Sequence, residues 1–563
     1  MNELHDARSE GDLDEGFDLL SSPLRRVRFG RGFVIAGPIG LAIALVASLW
    51  VSTMHVRHSL LVQVERTWIA GERLGLRVAV VATRSGPMED TAIAVAVEQD
   101  GHTWPLPTPG IVEGGAIGEV SFEVPPLHPG TATLHIHVEG EGVDPIDERI
   151  DVEVNTTRAP MAGTPVVSGS VLQHGDDSDA QPRGLRIVVR PAGRLLAGFD
   201  NELFVRVTDE AGRPHRGEIE VVLVDGEYAG HVGDVERPPS LFRGVPDPLG
   251  VARLEGPLGS ELLRVEVRAK GPDGAAVRRR LRMVSFAGAV DVVAEPAAVA
   301  PGDTIDVKAW GLSAKLAIHV DIHGSGGGLA DVMHPPVVGR EPPRPWQVPV
   351  GMPAGLLQIE AHNHLTAPGE STATAMVQIT AADPTIAASL SPLIAAHRDA
   401  VERPRIERDY DATLERGWLD AVAVATLGPA EVDVGRRMLL GTLPTEIFGP
   451  PVALVTRPRL EQELARTQGR ARIGMRVFLL GGGALFLGAM AVGMIRSHRR
   501  AADVTLGELR LDTAMAPDER AELEGELRRA ARAGMLRGFG VIGIMASGIA
   551  LTMFILERIV WVF

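Results

Sequence analysis

Histidine and carboxylate side chains alternate along two predicted strands in the second half of the sequence. Alternate side chains of a β-strand project from the same face, so each strand groups its histidines and acids. If the two strands are neighbours in one sheet, imidazole nitrogens and carboxylate oxygens converge, and zinc accepts both as ligands. The predicted metal ligands are His319, Asp321, His323, Glu360, His362 and His364.

The same pattern is also typical of a polar strand face that contacts solvent. Corresponding strands earlier in the chain are polar at the same alternate positions, with His135 and His137 in one and Arg264 and Glu266 in the other. The sequence therefore leaves two alternatives for these residues, a solvated face or a zinc site. No cofactor other than zinc is expected.

Other catalytic chemistry lacks the residues that it needs. Cysteine is absent from the chain, which excludes thiolate metal ligands, cysteine nucleophiles and thioesters. None of the three lysines lies in a phosphate-binding glycine loop. The segment His323-Gly-Ser-Gly-Gly-Gly328 lacks the first glycine and the strand-to-helix turn of a nucleophile elbow. We expect the protein not to be an enzyme, and a metal-dependent enzyme is the weakest alternative.

The composition limits the class of protein. The chain has 563 residues, of which 45% are apolar and 23% charged, so several globular domains are expected. The net charge is −16, which argues against a nucleic-acid partner.

Three uncharged, apolar segments are long enough to cross a lipid bilayer as helices, at 33–52, 477–495 and 539–556. Arginines cluster before the first segment and in the loop 497–537, and positive residues favour the cytoplasmic side. We therefore expect a multi-pass protein of the bacterial inner membrane, with a cytoplasmic N-terminus and a large periplasmic part.

The segment between the first two spans repeats one β pattern. Each copy has a strand, a turn at a glycine and a second strand of alternating apolar residues. A later glycine in each copy precedes another alternating strand, in which Leu134, Ile136 and Val138 correspond to Leu263, Val265 and Val267 as the buried face. Turn sequences at 209–214 and 272–274 predict antiparallel hairpins. The repeated turn glycines are Gly71, Gly198 and Gly302.

This pattern resembles the macroglobulin-type immunoglobulin-like domains of bacterial α2-macroglobulin relatives over residues 55–380. The resemblance implies tandem β-sandwiches. It does not imply a thioester protease trap, because the reactive thioester of that family needs a cysteine.

The predicted fold is mainly β, with tandem immunoglobulin-like or macroglobulin-like β-sandwiches, transmembrane α-helices and a membrane-proximal helical region. The predicted order is a cytoplasmic tail (1–32), a transmembrane helix (33–52), sandwich one (55–155), a linker (156–182), sandwich two (183–286), sandwich three (288–382), a membrane-proximal helical region (383–475), a transmembrane helix (477–495), a cytoplasmic loop with an amphipathic helix (497–537) and a last transmembrane helix (539–556).

The predicted function is binding or scaffolding by a membrane-anchored periplasmic protein. The alternative is a structural or regulatory subunit of an inner-membrane complex. Small residues at four-residue spacing, such as Gly543 with Ser547, allow close helix packing. Besides the lipid bilayer itself, the expected partner is therefore another membrane protein or a second copy of this chain.

Overall fold

The computed structural model describes residues 28–82, 91–111, 117–140, 143–158, 164–165, 182–271, 273–285, 290–313, 318–324, 327–333, 344–364, 372–380, 390–401, 412–443, 446–447, 452–511 and 516–560. The chain divides into a β-rich unit, His58–Thr456, and a helical unit formed by the segments before and after it. Residues 1–27 of the predicted tail and most of the predicted linker at 156–182 lie outside the described residues.

Helices are present in both units. Strands make up 40% and helices 36% of the structure, so the chain is richer in helix than a mainly β fold. The helices are α1 Arg28–Ser52, α2 Ser391–Val401, α3 Ala412–Ala423, α4 Pro429–Thr442, α5 Arg457–Val477, α6 Gly483–Leu511 and α7 Pro517–Ile555, with π-helical turns at Phe478–Gly482 and Leu556–Val560.

The β-rich unit begins with two sheets that face each other over one hydrophobic core, here called the first sheet pair. Trp68, Leu76 and Leu134 are among the side chains buried between them. One sheet has the order β2-β9-β8-β4-β5, and the other contains β1-β3-β7-β6. The strands are β1 His58–Val64, β2 Thr67–Trp68, β3 Arg73–Ala82, β4 Thr91–Gln99, β5 His102–Pro105, β6 Gly110–Ile111, β7 Ile117–Glu123, β8 Gly130–Gly140 and β9 Val143–Val154.

The second sheet pair follows a short strand, β10 Thr164–Pro165. Its two main sheets have the orders β11-β12-β17 and β16-β13-β18-β19, and Val205 and Val265 are buried in the core between them. β14 and β15 pair with each other in a separate two-stranded sheet. The strands are β11 Arg186–Pro191, β12 Asp200–Thr208, β13 Ile219–Asp225, β14 Glu227–Tyr228, β15 His231–Val232, β16 Ser240–Gly244, β17 Val251–Pro257, β18 Leu262–Lys270 and β19 Ala276–Val284.

The third sheet pair has the orders β20-β22-β25 and β21-β27-β26-β23-β24. Val320, Ile322 and Ile359 are buried in its core. The strands are β20 Val290–Glu295, β21 Ala298–Val299, β22 Thr304–Gly311, β23 His319–His323, β24 Leu329–Met333, β25 Arg344–Gln347, β26 Gly355–His362 and β27 Ala373–Ile379.

The repeated turn glycines have the backbone conformation that the pattern predicts. Gly71, Gly198 and Gly302 have φ angles of 79°, 87° and 94°, in the left-handed region that favours glycine. The predicted buried strand faces are also confirmed, because the six side chains predicted to be buried in β8 and β18 are each at most 1% exposed.

One of the two predicted hairpins is confirmed. β18 and β19, which lie on either side of the turn predicted at 272–274, are antiparallel partners. The hairpin predicted at 209–214 is wrong, because β12 pairs with β11 and β17, whereas β13 lies in the facing sheet. The turn chemistry is present, since Asp209 Oδ1 accepts hydrogen bonds from the N–H groups of Ala211 and Arg213. Turn residues predict a reversal of the chain, but not which sheet the next strand joins.

Helices α2, α3 and α4 pack against the second and third sheet pairs. Trp418 and Leu439 share a hydrophobic cluster with Phe204 of β12 and Val251 of β17. The Arg206 guanidinium donates to both oxygens of Glu415 at 2.9 and 2.6 Å, and both residues are buried. Burial alone would raise the pKa of Glu415, but Arg206 and Arg190 hold it well below its usual range.

The region predicted as one membrane-proximal segment, 383–475, contributes to several parts of the structure. After α4, β28 Glu446–Ile447 pairs with β10, and β29 Val452–Val455 pairs with β1. The Leu60 N–H donates to Thr456 Oγ1 at 2.8 Å at the end of this pairing. The chain therefore enters and leaves the β-rich unit through two adjacent antiparallel strands, and α5 belongs to the helical unit.

The helical unit contains the predicted spans. Among the described residues, three helical segments are long and apolar enough to cross a membrane, within 35–52, 457–507 and 518–560. Their apolar side chains are largely exposed, as at Ile43, Leu485 and Ile544. Arg472 and Arg476 at the start of the second segment both donate to the carboxylate of Glu557 at the end of the third. Arg472 and Arg476 lie at the end of the second span that is predicted to be periplasmic, where positive residues oppose the predicted orientation. Their pairing with Glu557 offsets part of this charge.

Candidate functional site

Five of the six predicted metal ligands lie on one face of two neighbouring strands. β23 and β26 are antiparallel partners, with His319 opposite His362 and Asp321 opposite Glu360. The face with these residues is turned away from the core that contains Val320 and Ile322. The predicted neighbourhood of the two strands is therefore confirmed. His364 lies beyond the end of β26 and is exposed.

The solvated-face interpretation is wrong for these five residues. His319, Asp321, His323, Glu360 and His362 are each at most 2% exposed. The reason is that the first sheet pair covers the face, with β3 and β7 packed against β24.

The close approach of the two sheet pairs depends on Gly75 in β3. A Cβ at this position would lie 2.8 Å from the carbonyl carbon of Asp331 in β24, so a larger residue would clash with backbone. Two residues before it, Arg73 Nη2 lies 2.9 Å from Asp331 Oδ2. Trp346 Nε1 donates to the same oxygen at 2.7 Å, which fixes the Asp331 carboxylate.

Arg77 is the central cation of this contact. Its side chain is 1% exposed and lies on the same face of β3 as Gly75. Nη1 donates to Asp321 Oδ1 at 2.7 Å and to Gln63 Oε1 at 2.9 Å, and Nε donates to Glu119 Oε1 at 2.6 Å. Arg77 therefore joins β1, β3 and β7 of the first sheet pair to β23 of the third.

His362 is the second side-chain partner of Asp321. Its Nε2 lies 3.0 Å from Asp321 Oδ2, and its Nδ1 lies 2.7 Å from the carbonyl oxygen of His364. Asp321 thus has one side-chain partner on each oxygen, Arg77 on Oδ1 and His362 on Oδ2.

The charges of the network stabilise one another. Burial alone would raise the pKa of Asp321, but Arg77 and His362 hold it well below its usual range. Burial disfavours the charged form of Arg77, yet Asp321 and Glu119 raise its pKa further above the usual value. Burial lowers the pKa of His323, which favours its neutral form.

A second set of charged residues lies beside this network and also joins the first sheet pair to the third. Glu65 Oε1 accepts a hydrogen bond from the Leu329 N–H at 2.7 Å, at the start of β24. Arg158 bridges Glu65 and Glu72, with N–O distances of 3.2 and 2.6 Å. Burial raises the pKa of Glu65, against the effect of Arg158.

Next to these residues, a cavity of about 500 Å³ lies between the first and third sheet pairs. Its wall is mixed, with Glu72, Arg73 and Arg158 on the polar side and Phe122 and Met352 on the apolar side. Gly324 and Gly328, between β23 and β24, also line it.

The arrangement does not fit a metal ion. Both oxygens of Asp321 have a side-chain partner, Arg77 on one and His362 on the other, and both nitrogens of His362 lie within hydrogen-bond distance of an oxygen atom. A divalent cation at Asp321 would lie beside the Arg77 guanidinium, which would repel it. Within the described residues, no group of three or more histidine or acidic side chains is placed to hold a metal. Zinc binding stays a prediction, with a test described below.

Sequence reasoning missed the residues of the first sheet pair that complete the network. Arg77 occupies an outward position of β3, where a charged residue normally indicates solvent contact. One sequence signal indicated that this strand face is covered. Gly75 lies between Arg73 and Arg77 on the same face of β3, and a glycine inside a strand often marks the close approach of another backbone.

Comparisons with known proteins identify no family. No protein family matches the chain, and neither does any curated protein. A solved tetra-tandem repeat of a large adhesion protein is similar at 14% identity and a TM-score of 0.15, over 57% of this chain and 74% of that one. A mutant of Salmonella alpha-2-macroglobulin is similar at 11% identity and a TM-score of 0.15, over 58% of this chain and 24% of that one. Dimeric latent PorU from Porphyromonas gingivalis has 12% identity and a TM-score of 0.21, over 57% of this chain and 34% of that one.

The chain thus spans about a quarter of the Salmonella protein and about a third of PorU. At TM-scores of 0.15 to 0.21, none of these similarities identifies a function.

Proposed function

We propose that this protein is a membrane-anchored binding scaffold of the bacterial envelope and that it is not an enzyme. The observation that carries the proposal is the buried network around Arg77 and Asp321. The histidine and acidic groups that are most suited to chemistry form contacts between sheet pairs, and both oxygens of Asp321 are occupied by Arg77 and His362. Groups in this state stabilise one arrangement of two domains rather than act on a substrate.

The contacts favour a rigid β-rich unit over a flexible array of domains. Gly75, Arg77 and Glu65 join the first sheet pair to the third, and helices α2, α3 and α4 share one hydrophobic cluster with the second and third. A rigid unit presents its surfaces in a fixed arrangement, which reduces the entropy lost when a partner binds. The cavity of about 500 Å³ is the place where we propose that a partner is bound.

The experiment is purification of the full chain from membranes in mild detergent, with quantitative identification of bound proteins. Val350 borders the cavity and is 82% exposed, so Val350→Arg should obstruct the cavity without unfolding the chain. Val232 is 71% exposed on β15 of the second sheet pair, and Val232→Arg is the matched control. We expect wild type and Val232→Arg to retain a common partner and Val350→Arg to lose most of it. No protein above background with wild type would contradict the proposal.

We also propose that the β-rich unit is periplasmic and the N-terminus cytoplasmic, in the inner membrane. The support is the arginine asymmetry of the sequence, together with the pairing of Arg472 and Arg476 with Glu557. Because the chain has no cysteine, single cysteines at Thr103 and at Glu519 can be labelled without background. A membrane-impermeant maleimide added to spheroplasts should label Thr103→Cys and not Glu519→Cys. The opposite pattern would reverse the topology.

A second candidate is a structural or regulatory subunit of an inner-membrane complex. The observation that favours it is the open space beside Gly488 of α6 and Gly543 of α7, since a Cβ at either position would have no atom of the described residues within 4 Å. Small residues on an open helix face allow another helix to approach closely. A partner helix or a second copy of the chain would occupy these faces.

A further inference from the structure

The outer face of β18 and β19 in the second sheet pair is strongly basic. The inward side chains of these strands, such as Val265 and Leu281, are buried in the core, so the alternate positions point outward. Glu266 is the acidic residue among these outward positions. The outward basic residues, here called the basic face, are Arg264, Arg268, Lys270, Arg278, Arg280 and Arg282.

The pairing of the two strands places like charges opposite one another. Arg264 lies opposite Arg282, and Arg268 lies opposite Arg278. Directly opposed like charges destabilise a sheet. Glu266 offsets part of this charge, because its two oxygens accept from Arg268 Nε and Arg280 Nε, each at 2.7 Å. On neighbouring β13, Glu220 lies 3.2 Å from Arg268 Nη1, and Asp225 lies 3.9 Å from Arg264 Nη1. The six basic side chains outnumber these three acidic ones, in a chain whose net charge is −16.

β19 is the terminal strand of its sheet among the described strands and is nine residues long. Its position is fixed from the core side, where buried Arg279 donates through Nη1 to the Ile187 carbonyl oxygen of the facing sheet. A fixed terminal strand is where an extended peptide is added to a sheet through main-chain hydrogen bonds. Arginines at every second residue recur about every 7 Å along it, which matches alternate side chains of an added strand.

We propose that β19 accepts an extended acidic segment of a partner protein as an additional strand. Aspartate or glutamate side chains at alternate positions of that segment face Arg278, Arg280 and Arg282. The inference rests on the proposed binding role and adds a second binding surface, separate from the cavity between the first and third sheet pairs. Charged terminal strands also prevent aggregation between sheet edges, and that role alone would give no selective binding of an acidic strand.

The test uses the full chain in detergent and a fluorescent nine-residue peptide that alternates glutamate with threonine. Control peptides have the same composition with the glutamates in one block, or N-methyl groups on alternate residues, which remove main-chain donors. The protein variant is Arg278→Glu with Arg282→Glu. The matched control is Arg243→Glu, at a side chain that is 70% exposed on β16 at the opposite edge of the same sheet. Circular dichroism melting confirms that the variants are folded.

We expect the alternating peptide to bind wild type and Arg243→Glu with similar affinity, and the double variant at least tenfold more weakly. Both control peptides should also bind wild type at least tenfold more weakly. Equal binding of the block peptide would make the face a general anion-binding surface and overturn strand addition. Absence of binding, or equal binding by the double variant, would overturn the inference as well. Recovery of a partner in mild detergent is measured separately, so the binding scaffold can stand when this inference fails.

Discussion

Arg77 of β3 and Asp321 of β23 form an ion pair with an Nη1–Oδ1 distance of 2.7 Å, and both side chains are 1% exposed. A buried ion pair gains little net stability, because both ions lose their hydration on folding, but loss of one partner leaves an uncompensated buried charge. The pair therefore acts mainly as a constraint. Only the arrangement in which β3 lies on β23 and β24 satisfies both charges.

This constraint predicts strong, non-additive effects on stability. We expect Asp321→Asn to lower the free energy of unfolding by about 3–5 kcal/mol, because Arg77 and His362 lose the buried carboxylate between them and Arg77 keeps Glu119 as its remaining anionic partner. Arg77→Met should have a similar effect, and the double variant should lose clearly less than the sum of the two. Urea unfolding followed by tryptophan fluorescence measures these differences.

The matched control for this cycle is the exposed pair of Arg243 and Glu218, whose side chains are 70% and 59% exposed. Removal of either partner should change stability by about 1 kcal/mol or less. Additive effects at Arg77 and Asp321, of the size seen for the control, would contradict the role assigned to the buried pair.

The elements that the sequence predicted are those with local signals. A turn glycine such as Gly302 and the hairpin at 272–274 depend on backbone preferences of a few residues, and alternation in β8 and β18 depends on one buried face. The contact between Arg77 and Asp321 joins residues 244 positions apart, and each occupies an outward strand position. Burial of that face depends on a second domain, which periodicity within one strand does not reveal.

The strand β29 shows the same limit. Val452–Val455 is a short apolar strand between prolines and the first helical residues, within the region predicted as membrane-proximal and helical. Its partner β1 is nearly 400 residues earlier, so the pairing has no local signal. The predictions that are confirmed concern strands and turns whose contacts lie nearby in the sequence. The two wrong predictions are the solvated face of β23 and β26 and the hairpin at 209–214. Both depend on which sheet a strand joins or faces.

Asp291 predicts a pH dependence of stability. Burial, together with a smaller effect of nearby Asp200, raises the pKa of this carboxyl to about 7. The folded chain keeps the proton where the unfolded chain has lost it, so this group's contribution to stability falls as the pH rises from about 4 to about 7. Asp291→Asn should therefore stabilise the protein at pH 8, by about 2 kcal/mol after allowance for partial exposure.

The effect of Asp291→Asn should be smaller at pH 5, where the folded wild type is already protonated. Asp306→Asn, at an exposed position of β22 in the same sheet pair, is the matched control and should show little change at either pH. Thermal unfolding at both pH values measures the difference. Equal midpoints for wild type and Asp291→Asn at pH 8 would refute the assignment.

Elemental analysis decides between the zinc prediction and the charge network. With Asp321 saturated by Arg77 and His362, we expect the purified chain to contain far less than one equivalent of zinc. About one zinc ion per chain, lost in a variant with His362→Ala and His364→Ala but retained in His135→Ala, would establish a metal site. It would also show that a metal ion replaces Arg77 and His362 as the partner of Asp321.

The open faces of α6 and α7 predict an effect on association. The variant carries Gly488→Leu and Gly543→Leu, and both leucines fit beside the other helices of the chain, so insertion of the protein into the membrane should be unchanged. Photocrosslinking from the exposed position 485 to a membrane partner or a second copy should weaken several-fold. Gly538→Leu is the contrasting variant, because a Cβ there lies against Met494 Sδ and disturbs packing between α6 and α7. Undiminished crosslinking in the Gly488→Leu, Gly543→Leu variant would make the spans an anchor only.

The most direct test of the rigid scaffold is a distance measurement between the first and third sheet pairs. Because cysteine is absent from the chain, spin labels can be placed at Thr103 of β5 and Asp306 of β22 alone, and both positions are exposed. Double electron–electron resonance should give one narrow distance distribution in the otherwise wild-type chain and a broader one when Asp321→Asn is added. A broad distribution in the otherwise wild-type chain would show that the sheet pairs move independently, and would contradict the account.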